Sequence, residues 1–328
     1  MRKIILLLSC TLFFTSVSAQ TPTEESRIFL HPFTEVYVNY PSAKLGLGVR
    51  LTVFLPEEKI PLSKSYPLVV YLGLTSQEHQ LAQNLAKKEQ VVIAGITWES
   101  WASQAVNDPQ SVGEFLHREL LPYLETNYPI LPGAEFRTLA ASGETNAQAV
   151  VAQLVHSDFV GKIALVEPGN VQIPTQASTQ GVRFYVQAEQ AALAAVQAQL
   201  QGRGVKYGPG FVLSYPQAVK SGLAAVNFQY LNAPAKQLSI KKIEAYTQQD
   251  SIALHSQQPL GLRVAVLLKN NYWFSYIPQT LRFSPPYLAW DAPQGTLQNI
   301  SGAQAGAVKI SGDVDNLPFS VKIKLKKD

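Results

Sequence analysis

The chain has 328 residues, of which 15% are charged, and its formal net charge is +4. A balance this close to neutral predicts neither nucleic acid nor an anionic membrane as a partner. The only cysteine is Cys10, so the sequence excludes an intramolecular disulfide and a thiolate metal site, and the chain must fold on a hydrophobic core.

The amino terminus predicts export. Arg2 and Lys3 precede a short apolar run, and the small-residue segment Val17-Ser18-Ala19 follows it. This order is typical of a secretory signal peptide, here residues 1–19, cleaved before Gln20. The apolar run is too short to span a membrane. Cys10 offers an alternative, as the acylation site of a lipoprotein, although only five apolar residues would then precede the cut.

No second long apolar segment follows the signal peptide. After cleavage we expect no transmembrane segment and a location in the periplasm or outside the cell, most simply in a bacterial envelope. Residues 20–35 form an N-terminal segment ahead of the first predicted domain.

From residue 36 to 232, short apolar runs alternate with helical patterns. This alternation is typical of an α/β fold with a mostly parallel sheet that helices cover on both faces. The predicted buried strands are Leu68–Leu72, Val91–Ile96, Thr138–Ala141, Lys162–Val166 and Val182–Val186. An earlier run, Val49–Leu55, alternates more and predicts an antiparallel edge strand.

Apolar residues at helical spacing predict the helices between these strands. Ser76 is the expected N-cap of the first helix. The alanine-rich segment 190–201 forms a later helix that stops at Gly202, and apolar residues between Val219 and Tyr230 mark the last one.

Composition changes after Pro234. Residues 238–328 alternate with a period of two, as in Leu260–Val266 and Val321–Lys326, and proline and glycine separate the runs. Short alternating strands between turn residues predict a small all-β domain, sandwich-like in form.

A resemblance to a known family rests on three segments. The phrase Leu120-Leu121-Pro122-Tyr123-Leu124-Glu125 precedes Arg137-Thr138-Leu139-Ala140, and Tyr66–Leu72 matches an opening strand. Over residues 37–231 the chain resembles the esterase D and enterochelin-esterase branch of the α/β-hydrolases. The resemblance implies an α/β-hydrolase-like sheet and a serine nucleophile on a strained strand-to-helix turn, the elbow, flanked by glycines.

The elbow is degenerate in this sequence. When the family's Gly-His-Ser-x-Gly-Gly is aligned without gaps from Arg137, it falls on residues 141–146, and Gly143 takes the nucleophile position. With one residue deleted, Ser142 takes that position, beside Glu144 where a small residue belongs. Ser142 is otherwise interpreted as an ordinary strand-end or N-cap serine.

The other members of the catalytic triad are also in doubt. In this fold the histidine lies on a loop after the last strand, which we place between Gly208 and Gln217. That loop contains no histidine, and neither does the chain from Ser157 to Leu254. A serine hydroxyl without a base is a poor nucleophile at neutral pH. Glu189 is a candidate acid, although an exposed glutamate at a helix start explains it equally well.

The histidines lie without metal-ligand spacing at His31, His79, His117, His156 and His255. We therefore expect no metal site, and each histidine is interpreted as a surface or packing residue. His79 follows the strand that ends at Leu72, and the loop after that strand overlies the expected site. His79 is therefore the histidine whose distance from Ser142 matters most. No glycine pattern matches a dinucleotide loop, and we expect no cofactor.

Trp98 and Trp101 follow a predicted strand that ends at Ile96. Ligands of open α/β sheets bind at the carboxyl ends of the strands, so two indoles there predict a stacking surface for a sugar or an aromatic group. Packing beneath a loop is an equally good interpretation of both rings.

Three functions follow from these patterns. The first is an exported, non-catalytic esterase-like protein, a pseudoenzyme that binds an envelope protein or a glycan. The second is a secreted serine esterase that acts on acylated carbohydrate or another small ester, with Ser142 as nucleophile and Glu189 as acid. The third is a structural subunit that docks through its C-terminal region.

Overall fold

A computed structural model describes residues 28–30, 34–57, 59–61, 64–97, 108–156, 159–216, 222–254, 256 and 258–327. The predicted signal peptide, residues 1–19, lies outside the described residues, as do Trp98 and Trp101. None of the described helices combines the length and the apolar character that crossing a bilayer requires.

The first ten strands run from the amino terminus to the middle of the chain. They are β1 Ile28–Leu30, β2 Glu35–Ser42, β3 Leu47–Phe54, β4 Lys59–Pro61, β5 Leu68–Leu74, β6 Val92–Thr97, β7 Arg137–Ser142, β8 Lys162–Val166, β9 Arg183–Gln187 and β10 Phe211–Ser214. Apart from β1 and β4, which pair with each other, they form one sheet in the order β2-β3-β6-β5-β7-β8-β9-β10.

The pairing directions confirm the predicted fold class. Strands β6, β5, β7, β8, β9 and β10 are parallel, and β3 is antiparallel to both β2 and β6. A parallel sheet with an antiparallel strand second from its first edge is the arrangement of the α/β-hydrolases. The run predicted as an edge strand, β3, is antiparallel as expected, but β2 takes the edge position.

Six α-helices are assigned within the described residues. They are α1 His79–Glu89, α2 Pro109–Phe115, α3 Leu121–Asn127, α4 Glu144–Ala152, α5 Gln190–Gly202 and α6 Phe228–Asn232. A π-helical segment, Leu116–Leu120, joins α2 to α3. The first helical segment after β5 is capped by Thr75, not by the predicted Ser76.

The predicted last helix, residues 219–230, is interrupted within its described part, residues 222–230. The structure has a 3-10 turn at Gly222–Ala225 and then α6. Between them the side chain of Asn227 accepts a hydrogen bond from the backbone of Tyr230, at 2.9 Å. This side-chain cap starts a new helix, which explains why one continuous helix does not form.

After residue 238, all the α-helix and β-strand structure in the described chain is β-strand, as the alternation predicts. The strands are β11 Ile240–Thr247, β12 Ser251–Ala253, β13 Leu260–Leu268, β14 Trp273–Tyr276, β15 Arg282–Ser284, β16 Leu288–Asp291, β17 Thr296–Asn299, β18 Gly306–Val314 and β19 Leu317–Lys326. The main sheet continues into this region, because β14 pairs antiparallel with β10, Leu213 opposite Ser275.

Strand β13 belongs to two hydrophobic cores. Its Val264, Val266 and Leu268 join the large core of the parallel sheet. Its Leu260 and Leu262 join a second core between β13, β16 and β17 on one side and β12, β18 and β19 on the other. The second core is sandwich-like, but no gap in the sheet marks the predicted boundary at residues 232–238.

Candidate functional site

A cleft lies at the carboxyl ends of β5 and β7, the edge where an open α/β sheet binds ligands. Its volume is about 400 Å³. Its described lining is Tyr71, Gly73, Thr75, Gln77, Glu78, Leu81, Ser142, Gly222 and Ala224. Ser142 therefore occupies the expected location, at the end of β7.

The turn from β7 into α4 is made by Gly143, with φ 82° and ψ 158°. Backbone hydrogen bonds hold it, from Gly143 N to Val166 O at 2.9 Å and from Ala147 N to Gly143 O at 3.0 Å. L-residues rarely adopt this conformation. A strained residue between strand and helix is where this fold carries its nucleophile, so the structure places Gly143 there and Ser142 one residue earlier, in the strand.

Tyr71 and Ser142 line the same cleft. The Tyr71 hydroxyl donates to Glu78 Oε1 at 3.3 Å. Burial, with the negative charge of Glu78 as the second cause, raises the pKa of Tyr71 far above its ordinary value. Because Tyr71 stays protonated at neutral pH, it is not a base that would activate Ser142.

The carboxylate of Glu78 accepts the backbone N–H groups that border the cleft. Thr75 N donates to Oε2 at 3.0 Å, and Leu223 N donates to Oε1 at 2.8 Å. The Thr75 hydroxyl also donates to Oε2, at 2.9 Å. In a working site of this fold, an N–H from the loop after the equivalent of β5 stabilises the oxyanion. Here the Thr75 N–H of that loop already donates to the Glu78 carboxylate.

His79 lies away from this hydrogen-bonded group. Its Nδ1 is 2.6 Å from Glu35 Oε1, its ring stacks on Tyr37 with centroids 5.9 Å apart, and it meets Phe54 edge-on at 5.6 Å. His79 is thus held against β2 and β3, and the described lining of the cleft contains no histidine.

His156 lies beyond the far end of α4. That helix has nine residues, so its last turn is about 13 Å from Ser142 along the axis. The His156 ring stacks on His117 with centroids 4.7 Å apart. His31 and His255 lie outside the described residues.

Two further predictions concern the triad loop and the acid. Gly208–Gly210 precede β10, so the prediction that the histidine loop starts at Gly208 is wrong, and the segment after the last parallel strand starts at Tyr215. Its residues 217–221 lie outside the described chain. Glu189 is exposed at the start of α5 and is not among the described residues that line the Ser142 cleft.

Within the described residues, no group of three or more histidine, cysteine or acidic side chains has metal-binding geometry.

Sequence reasoning missed Tyr71 and Glu78. A signal for Glu78 was present, because Thr75-Ser76-Gln77-Glu78 has the spacing of a capping box, in which the glutamate reaches back to the N-cap backbone.

No family model and no curated protein matches the sequence. Solved structures do. Enterobactin esterase FES from Shigella flexneri is 15% identical, with 58% of this chain and 55% of that chain covered and a TM-score of 0.47. The ferulic acid esterase AmCE1/Fae1A from Anaeromyces mucronatus is 16% identical, covering 64% and 92%, at 0.44.

An uncharacterised protein from Capnocytophaga ochracea is 18% identical, covering 60% of this chain and 61% of that chain, at a TM-score of 0.44. This chain thus spans little more than half of the Shigella enterobactin esterase. At such identities the likeness concerns the fold alone. The strand order and pairing directions of the chain are similar to those of the α/β-hydrolases.

Proposed function

We propose that this protein is a non-catalytic, esterase-like binding protein that is exported to the cell envelope. The observation that carries the proposal is the elbow, where Gly143 stands in the strained position and offers no nucleophilic side chain. Tyr71, which lines the cleft with the neighbouring Ser142, stays protonated and supplies no base.

The position of the Glu78 carboxylate also supports a non-catalytic cleft. An ester carbonyl would meet a fixed negative charge where a working site presents N–H donors to a developing oxyanion. The charge of Glu78 opposes that oxyanion, and its four hydrogen bonds hold it in place. The cleft is therefore suited to retaining a neutral or cationic group and not to stabilising a tetrahedral intermediate.

The ligand we propose is an envelope protein or a glycan, bound above the strand ends. Trp98 and Trp101 follow β6 in the sequence, and we propose that their indole rings stack against this ligand. Replacing both by alanine is expected to weaken binding by ~1 kcal/mol or more for each stacked ring. Unchanged affinity in the double variant would assign the rings to packing. A glycan array and a pull-down from envelope extract distinguish a glycan ligand from a protein ligand.

The test of the non-catalytic assignment uses the purified protein, short-chain nitrophenyl esters and a fluorophosphonate label. We expect hydrolysis that is the same in the wild type and in Ser142→Ala, and no labelled serine. Gly143→Ser is the matched control. It places a hydroxyl at the elbow and is expected to remain inactive, because no histidine lies between residues 157 and 254. A fluorophosphonate adduct on Ser142, lost in Ser142→Ala, would replace this proposal by the serine esterase.

A further inference from the structure

A second and larger cleft lies at the opposite edge of the sheet, at the amino ends of β8, β9 and β10. Its volume is about 930 Å³, which lies within the range of small-molecule sites. Lys162 begins β8, Arg183 begins β9, and Gly210 immediately precedes β10, and all three line the cleft. This cleft shares no described residue with the one at Ser142.

The lining is strongly basic. Lys162, Arg183, Arg203 and Lys206 contribute four positive charges, and Glu135 contributes the one negative charge among the described lining residues. None of the four cations has a carboxylate within ion-pair distance among the described side chains. The chain as a whole is close to neutral, so this concentration of charge is local.

Arg183 is held in place by backbone carbonyls. Its Nη1 donates to the carbonyls of Tyr230, Leu231 and Ala233, at 3.1, 2.7 and 2.8 Å. These carbonyls end α6, where a cation interacts favourably with the helix dipole. The guanidinium is thus held without a carboxylate partner among the described side chains, and Arg183 lines the cleft.

Arg203 is fixed in a similar way at the end of α5. Its Nη2 donates to the carbonyls of Ile173 and Pro174, at 2.8 and 2.9 Å. Lys206 follows three residues later and is exposed. These two cations form a second basic group, separate in the chain from Lys162 and Arg183.

Lys162 and Arg183 face each other on neighbouring strands, as Cα partners in the parallel pairing of β8 and β9. Like charges in such a pair repel each other. The Lys162 ammonium is half-buried and donates to the Asn232 side chain at 2.9 Å. Burial, with the charge of Arg183 as the second cause, lowers the pKa of Lys162 to about 8, and Glu135 acts weakly in the opposite direction.

We propose that this cleft binds a small organic ligand with two anionic groups, phosphate or carboxylate, one at Lys162 and Arg183 and the other at Arg203 and Lys206. The ligand's charge relieves the repulsion between Lys162 and Arg183, and the pre-positioned guanidinium groups need little reorganisation to bind it. The proposal does not depend on the absence of esterase activity.

The test is calorimetric titration of the full protein at pH 7 and low salt. Fructose 1,6-bisphosphate and citrate are the phosphate and carboxylate probes, and fructose and inorganic phosphate are the controls. We expect one of the two probes to bind, inorganic phosphate to bind at least tenfold more weakly, and fructose not to bind. Lys162→Gln and Lys206→Gln should each weaken binding about tenfold, as for one lost charge-assisted bond. Lys322→Gln, an exposed change on β19, should leave affinity unaltered.

The pH dependence separates a ligand contact from a structural role. Wild-type affinity should fall as pH rises from 7 to 9, because Lys162 loses its proton in that range. In Lys162→Gln this part of the pH dependence should disappear. Failure of both probes to bind, equal affinity for inorganic phosphate, or wild-type affinity in both lysine variants would overturn the proposal.

Discussion

The conformation of Gly143 makes the most direct prediction. A Cβ added there meets no atom within 4 Å, so steric clash contributes nothing to the effect of Gly143→Ala. The cost is that of placing an L-residue at φ 82° and ψ 158°, about 1–3 kcal/mol. Loss of glycine's freedom in the unfolded chain offsets about 0.4–1 kcal/mol of this. We expect Gly143→Ala to lower the free energy of unfolding by about 1–2 kcal/mol.

Urea denaturation followed by circular dichroism measures this change as a lower midpoint at an unchanged slope. Gly202→Ala is the matched control. It lies at the end of α5, a Cβ there also meets nothing within 4 Å, and its φ is not left-handed. The control should therefore stabilise the protein by about 0.5–1 kcal/mol. If Gly143→Ala stabilises the protein as much as the control, the elbow is not strained and the placement of Gly143 is wrong.

Three further changes test other parts of the structure. Glu78→Gln should lower the free energy of unfolding by about 1–3 kcal/mol, because one of the N–H donors at Thr75 and Leu223 would then face an amide NH₂. An unchanged midpoint in urea denaturation would refute the role of the carboxylate. Lys162→Met should raise stability at pH 7 by about 1 kcal/mol, because burial lowers the lysine pKa from 10.5 to about 8 and disfavours the charged form in the folded state. The free energy of unfolding of the wild type should therefore rise between pH 8 and pH 10, because the unfolded chain keeps the Lys162 proton in this range and the folded chain loses it. This rise should be absent in Lys162→Met. Leu297→Ala, in the second core, should cost about 2–5 kcal/mol, with one unfolding transition by circular dichroism and by tryptophan fluorescence, because β13 joins both cores. Two separated transitions would show that the cores unfold independently.

The sequence predicts the buried strands well because their apolar runs are continuous. The runs at 68–72, 138–141 and 162–166 coincide with strands to within a few residues. Such runs fit a parallel sheet covered on both faces and little else at that length. The sequence allows two registers at the elbow, however, because only the backbone torsion angles distinguish Gly143 from Ser142 at the turn.

Other features depend on contacts that are distant in the chain. The hydrogen bonds from Tyr71 and Leu223 to Glu78 join three segments, the last of them 145 residues from the glutamate. The opposition of Lys162 and Arg183 follows from strand register. The pairing of β10 with β14 likewise crosses the predicted domain boundary, because unsatisfied backbone groups of an edge strand pair irrespective of composition.

That last pairing has a practical consequence for expressing the protein in parts. A fragment that stops at residue 232 would expose the open side of β10, whose Phe211, Val212 and Leu213 are buried in the full chain. An apolar edge with free N–H and C=O groups is a template for association with other chains. The C-terminal strands therefore protect the parallel sheet from aggregation, and a soluble fragment of the first region would need β13 and β14 to accompany it.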